Sequence, residues 1–404
     1  MERLGENGSK LMNQKGLPLV SAVIPVYNGA AFLEESIGSL LTQTLKLDEI
    51  IIVDDCSTDK SVKNAKEIAC QSKGVVKIYC RSHKSGAAVA RNLGCELAKG
   101  EWILFMDADD YVEPSLLQWE LDAIESYEEQ WGALPILAYS AYQSFTTLGD
   151  TLPGIYRGQP IQPGEIFGYE LVRNRISTSG LLVKRESFYQ AGGFDTALKY
   201  SEDYDLWLRL AGLGDFAYVD EPLVKIRRHP GNTSHNLGKM LEGEKTVLKR
   251  YSSELIRQAI ERRKLSWEVN QTDFASVMYK IDRWDEGLEA VKRVCALKPD
   301  FAAGHFLYGI YFLHTGNREE AREAFIQTLK SDARHGAALN NLGALLMNDG
   351  KTHEAERFFL KALALYPEYL DAQHNLGVLK TEKQAEGREP HFTWRELRPV
   401  LTLY

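Results

Sequence analysis

Asp107, Asp109 and Asp110 fall within four residues of one another, directly after the apolar run Trp102-Ile103-Leu104-Phe105-Met106. Carboxylates at the end of a buried strand repel one another and resist desolvation, so something must compensate them. In extended backbone Asp107 and Asp109 point to the same side. Two carboxylates on one side can share a hard divalent cation, Mn2+ or Mg2+, which keeps positions open for phosphate oxygens. An acidic surface turn after a strand would read the same way. The choice rests on other stretches: "IPVYNG" (24–29), "VDDCSTD" (53–59), "GAAVARNLG" (86–94), "YSEDYDLWLRL" (200–210) and "KIRRHPGNTS" (225–234).

The elements around these stretches alternate. Residues 19–28, 48–55, 75–80 and 101–106 read as buried strands. Between them, 30–44, 57–71 and 86–99 have apolar residues at helical spacing, with Ser57, Thr58 or Asp59 available to cap the second helix. Such alternation with short links predicts a mostly parallel sheet covered by helices on both faces, with ligands beyond the carboxyl ends of the strands. Both acidic segments, "VDD" and "MDADD", lie at those ends. From 113 to 200 the pattern loosens around several prolines. A strand and helix are read over 177–195, and an amphipathic helix over 201–214. In its first turn Glu202 and Asp203 complement the helix dipole, with Ser201 as cap, and that structural role is sufficient by itself. Trp102, Trp119, Trp131 and Trp207 are read mostly as packing residues rather than sugar platforms.

The second half changes period. Gly309, Gly343 and Gly377 are spaced by 34 residues, as are Ala321 and Ala355, and Phe325 and Phe359. This is the tetratricopeptide pattern of stacked helix pairs. Repeats are read from about 268, 302 and 336, with a fourth cut short after 370 and a degenerate first copy holding Ala275 and Gly287. The domain reading is an extension over 1–17, a catalytic domain over 18–236, a charged helical connector over 237–268, repeats over 269–385 and a tail over 386–404. The tail is expected either to cap the last repeat or to pack on the catalytic domain.

The 404 residues suit two domains, and 44% hydrophobic with 26% charged residues is a globular composition. A net charge of −8 argues against nucleic acid as a partner. The five cysteines form no CxxC pair, and no apolar run reaches membrane-spanning length. The expectation is a cytoplasmic protein with reduced thiols and no transmembrane segment.

Taken in order, "IPVYNG", "VDDCSTD", "ARN", "MDADD" and "SED" resemble the family 2 glycosyltransferases, over residues 18–235. The resemblance implies the GT-A nucleotide-diphospho-sugar transferase fold, followed here by the all-α solenoid. It implies that Pro25, Val26, Tyr27 and Asn28 hold the nucleoside, with Tyr27 beside the base. Asp54 would accept from the base, next to Asp55, and Arg91 would approach base or diphosphate. Asp107, Ala108 and Asp109 form the DxD: the first aspartate contacts ribose or metal, the second the metal. His229 joins the metal or diphosphate, Arg227 and Arg228 approach phosphate, and "STSG" (177–180) lines the sugar pocket. Asp203 is the implied catalytic base, with Glu202 orienting donor or acceptor.

Asn341 and Asn375 hold the same place in successive repeats, and an amide side chain can both donate to and accept from a peptide backbone. The pair resembles the asparagine ladder in the repeats of protein O-GlcNAc transferases, although Leu307 fills the preceding equivalent place. Some bacterial transferases that glycosylate peptides join the same two parts. The expected activity is inverting, metal-dependent transfer of a hexose or N-acetylhexosamine from a UDP-sugar to a peptide or protein held by the repeats. Two other readings stay open: synthesis of a polysaccharide or lipid-linked glycan with the repeats as scaffold or homo-oligomer contact, and a non-catalytic repeat adaptor.

Overall fold

The computed structural model describes residues 18–229, 237–380 and 389–394. It divides between Arg250 and Tyr251 into two compact units.

The first unit opens as strand and helix in alternation: β1 (Val20–Val26), α1 (Leu33–Leu41), β2 (Glu49–Asp54), α2 (Ser61–Gln71), β3 (Val76–Cys80), α3 (Ala87–Leu97) and β4 (Trp102–Phe105). β1 and β2 are buried at every position, which is why they read as unbroken apolar runs. There follow β5 (Tyr111–Val112), α4 (Leu116–Trp131), β6 (Leu137–Thr146), β7 (Thr151–Tyr156), α5 (Ile166–Val172), β8 (Leu181–Lys184), α6 (Arg185–Gln190), α7 (Glu202–Ala211), β9 (Phe216–Arg228) and α8 (Leu237–Leu248).

The nine strands form one sheet in the order β3-β2-β1-β4-β8-β6-β9-β5, with β7 added to β6. β3, β2, β1 and β4 are mutually parallel. β8 then runs antiparallel to both β4 and β6, and β9 is parallel to β6. Successive strand residues feed opposite faces, as the two-residue period of a strand requires. Ile24, Ile50 and Leu104 pack with Leu33, Ile37 and Leu116 of α1 and α4. Val23, Ile51 and Ile103 pack on the other face with Ala90 of α3 and Trp207 of α7. Trp102 and Trp207 are core residues, whereas Trp119 and Trp131 lie exposed on α4.

The second unit, within the described residues, is helical: α9 (Ser253–Glu261), α10 (Trp267–Lys280), α11 (Trp284–Leu297), α12 (Ala302–His314), α13 (Arg318–Ser331), α14 (Gly336–Asn348), α15 (Thr352–Leu365) and α16 (Leu370–Lys380). The period has a physical origin. A Cβ on Gly343 would lie 2.5 Å from Cε1 of Phe359, and one on Gly309 would lie 2.5 Å from Cε1 of Phe325. These two repeats therefore close their helices on a glycine–phenylalanine contact, and the degenerate first copy closes on Gly287 against Tyr279. Among the described residues no helix is long and apolar enough to cross a membrane. All five cysteines are free.

Candidate active site

β1 is where the sheet's connections diverge, with β2 on one side and β4 on the other, and ligands of such sheets lie beyond the strand ends at that point. After β1 the chain turns through Asn28 at a positive φ of 53°. Asn28 N donates to Ser57 Oγ (2.9 Å), and Asn28 Oδ1 accepts from Thr58 N (2.8 Å). Gly29 N donates to Ser61 Oγ and Ala30 N to Asp59 Oδ2. Residues 57–59 thus brace this turn before α2 begins, and Asp59 also accepts from Ser61 N at the helix start (2.9 Å). Tyr27 is half exposed, with Lys84 Nζ 3.4 Å from its ring centroid.

The two acids after β2 divide their work. Asp55 is saturated by protein donors: Arg81 Nη1 at 3.2 Å, Ser85 N at 3.0 Å and Gly86 N at 2.6 Å. Asp54 is 2% exposed, and its Oδ2 accepts from Ser57 N at 3.0 Å. Its Oδ1 is buried without a protein partner. A buried acceptor left unpaired is costly, so this atom suits a donor brought by a ligand, such as the imide N–H of a pyrimidine base.

The acids after β4 are each compensated, and differently. Asp107 Oδ1 meets Arg91 Nη2 at 2.6 Å. Asp109 Oδ2 meets His229 Nε2 at 2.9 Å. Asp110 is the deepest: its Oδ2 accepts from Ser179 Oγ (2.5 Å) and its Oδ1 from Arg227 N (2.8 Å). Burial, with the charges of Asp109 and Asp107, pushes Asp110 well above the usual carboxylate range. Burial and Asp107 also raise Asp109, against the lowering effect of His229. Arg227 donates from Nε to Asp109 O at 2.8 Å and pairs with Glu35, while Arg228 donates to Ser144 Oγ. Both arginines, expected near phosphate, are thus engaged in holding the loop and the sheet.

Arg91 on α3 is buried and joins the two ends of the site. Besides Asp107, its Nη1 reaches Glu202 Oε1 of α7 at 3.3 Å. Burial disfavours its charge, but Asp107 and Glu202 outweigh that and raise its pKa. Next to Glu202, Asp203 accepts from Thr178 Oγ1 (3.4 Å) and, within the helix start, from Tyr204 N (2.7 Å). Burial and then the charge of Glu202 raise Asp203 to about 6. Ser201 stands at the N-cap place in the left-handed region, φ 61°, and makes no side-chain cap; its hydroxyl donates to Met240 O instead. That corrects the capping role read for it. Non-glycine residues held there carry local strain, here at the start of the segment bearing the candidate base.

Asp110, Ser179 and Glu35 have supporting roles that spacing alone did not assign. The third acid of "MDADD" and the serine of "STSG" were their only sequence signals. Among the described residues no three His, Cys, Asp or Glu side chains converge as a ready metal cage. The pair Asp109–His229 nevertheless fits a divalent ion completed by a ligand's oxygens. It combines a carboxylate with an imidazole, and burial and Asp107 hold the pKa of Asp109 up despite His229.

In the second unit, Asn341 and Asn375 are fully buried and hold a peptide, the chain's own 391–393. Asn341 exchanges two bonds with the backbone of Thr393, Nδ2 to O (2.9 Å) and N to Oδ1 (2.7 Å). Asn375 does the same with His391, at 2.8 and 2.7 Å. Asn340, which the 34-residue spacing does not pick out, adds Nδ2 to His391 O at 3.0 Å. Of the two places expected for the tail, its described part lies on the repeats.

One sheet thus carries acids at the carboxyl ends of β2 and β4, and Arg91 joins one of them, Asp107, to Glu202 of α7. The comparisons give the class of protein in which this arrangement stands. A family model described as "Glycosyl transferase family 2" matches residues 21–155, and one described as "Tetratricopeptide repeat" matches 272–325 and 311–369. The uncharacterized glycosyltransferase RP339 of Rickettsia prowazekii is 30% identical over 227 residues, 56% of this chain and 69% of that protein. An uncharacterized glycosyltransferase of Haemophilus influenzae is 32% identical over 220 residues, 54% of this chain and 70% of that one. S. aureus TarS aligns at a TM-score of 0.46 and 16% identity, over 81% of this chain and 54% of TarS, a likeness too loose to bear on substrates. The chain belongs to glycosyltransferase family 2 and carries tetratricopeptide repeats after its catalytic domain.

Proposed function

We propose that this enzyme transfers a hexose or N-acetylhexosamine, with inversion, from a UDP-sugar to a peptide or protein engaged by the repeats. The observation that carries the reading is Arg91. One buried guanidinium touches Asp107, at the donor end, and Glu202, beside the candidate base. The two acid segments, about 95 residues apart in sequence, are thereby held around one cation.

The chemistry follows from this placement. The nucleoside rests against the Pro25–Asn28 turn, with Asp54 Oδ1 accepting from the base. Asp203 takes the proton of the acceptor atom while that atom bonds to the anomeric carbon. The bond from that carbon to the diphosphate oxygen breaks, and its electron pair leaves with the nucleotide. Attack opposite the leaving group inverts the centre. Glu202, held by Arg91, keeps Asp203 in a region of negative potential that raises its basicity. Asp109 and His229 are the residues that would hold Mn2+ or Mg2+, and a bound ion would neutralise diphosphate charge. The peptide acceptor is supported by the repeats' grip on an extended segment of the chain itself.

The test is a panel of sugar nucleotides given to the full chain with Mn2+ or Mg2+, following nucleotide release, then mass spectrometry of candidate peptides. The expected result is turnover of a UDP-sugar and a hexose or N-acetylhexosamine mass added to a peptide. Turnover only onto a lipid-linked or polysaccharide acceptor would replace the peptide reading. Absence of binding by every sugar nucleotide would end the catalytic one.

A further inference from the structure

The occupant of the repeat groove is read at more than its backbone. Thr393 is 4% exposed. Its hydroxyl donates to Asp371 Oδ2 (2.7 Å), accepts from Asn340 Nδ2 (3.1 Å), and also meets the Tyr369 hydroxyl. A hydroxyl has one donor and two acceptor positions, and here all have partners. Two residues earlier, the His391 ring stacks on His374 with centroids 3.6 Å apart and planes 9° from parallel. The residue between, Phe392, is half exposed, and Trp394 beyond is exposed. Asparagine pairs grip alternate residues, 391 and 393, as an extended strand with a two-residue period demands.

We infer that the inner face of α14 and α16 is a reading site for an extended peptide bearing threonine or serine two residues after a flat, stackable side chain, and that the chain's own 391–393 occupies it as a tethered competitor. A free peptide of this kind must displace the tail. Being part of the same chain keeps the tail at a high local concentration, so the native chain should bind such a peptide weakly. The walled-in hydroxyl is a docking element and not the atom that receives sugar. The inference rests on the repeats binding a peptide, as proposed above, but not on what reaction follows.

The test uses anisotropy of a fluorescent peptide copying residues 388–397, with the full chain and with its Thr393→Val variant, which keeps the tail's shape but removes its hydroxyl. The expected result is at least about 10-fold tighter binding to the variant. A second peptide carrying valine at the threonine position should bind the variant at least about 10-fold more weakly than the first, whatever happens to protein folding. Adding Asn341→Ala to the variant should abolish binding. Equal affinity of native and variant chains would overturn the competitor, and equal affinity of the two peptides would overturn the hydroxyl reading. Dimerisation of the native chain that the Thr393→Val variant loses would place the tail in a neighbouring copy and overturn the tethered arrangement. The same peptide extended with further serine, threonine and cysteine residues, bound but never glycosylated, would defeat the acceptor proposal alone. Transfer onto another peptide held by the repeats, with the 388–397 peptide bound by no form, would defeat this inference alone.

Discussion

Replacing Asp203 with asparagine is expected to stop transfer and, at neutral pH, to stabilise the catalytic unit. Burial and the adjacent Glu202 raise its carboxyl from 3.8 to about 6, with Asp107 adding to the rise and Arg91 opposing it. The facing group from the 177–180 segment is the neutral hydroxyl of Thr178. A raised carboxylate pKa means that the native state binds the proton more tightly than the unfolded chain does. The stability from Asp203 is therefore complete below about pH 4 and is lost as pH rises through about 6. About two pH units correspond to about 3 kcal/mol. Asp203 keeps some solvent contact, so screening reduces the expected gain to about 1–2 kcal/mol. For a unit of this size that is a Tm rise of about 3–6 °C at pH 7.5. Asparagine keeps the Oδ1 acceptor for Tyr204 N, so the helix start is preserved. The assay is thermal unfolding of both full chains from pH 4 to 8, beside transfer kinetics. The Tm gap should open between pH 4 and 6.5, and transfer should fall by about 10²–10⁴. In the native enzyme kcat/KM should rise with pH through about 6. A less stable variant at pH 7.5, or a native rate flat from pH 5 to 7, would refute both the strained base and its role.

Other consequences are simpler to test. Asp54→Asn presents a donor where the buried Oδ1 now lacks a partner, and UDP affinity by calorimetry should fall by about 10–100-fold; unchanged affinity would place the base elsewhere. His229→Ala removes the imidazole 2.9 Å from Asp109, so the Mn2+ needed for half-maximal turnover should rise by at least about 10-fold, and chelation should abolish native turnover. Gly343→Ala forces a Cβ against Phe359, which should cost the repeats about 1–3 kcal/mol in denaturant unfolding while UDP binding stays unchanged.

Half of the catalytic fold was legible because its signal is local. β1, β2 and β4 lie buried between helix layers, so their sequences are continuously apolar whatever the rest of the chain does. The repeats were legible because the Gly343–Phe359 contact recurs as Gly309–Phe325 one period earlier. β6 and β7 were not read. β6 has half-buried positions among its buried ones and takes its neighbours β8 and β9 from later in the chain. The same distinction governs the site. Asp54 and Asp107 announce themselves at strand ends. Asp110, Ser179 and Glu35 matter only through partners 69 or more residues away. Ser201 looked like a cap because capping serines are common at helix starts; its hydroxyl instead bonds α8. Asn340 was invisible to a 34-residue spacing because its role comes from the tail it holds rather than from the repeat.

β9 ends the chain's passage through the sheet, inserted between β6 and β5, and only there does the backbone deliver Arg227 and His229 to the loop after β4. A nascent chain that has made the four parallel strands has Asp54 and Asp107 at their ends, yet lacks the partners that β9 and His229 bring to Asp109 and Asp110. Such long-range closures form late and slowly. Turnover would thus be a property of the finished molecule alone, and intermediates on the ribosome would be kept from spending activated sugar.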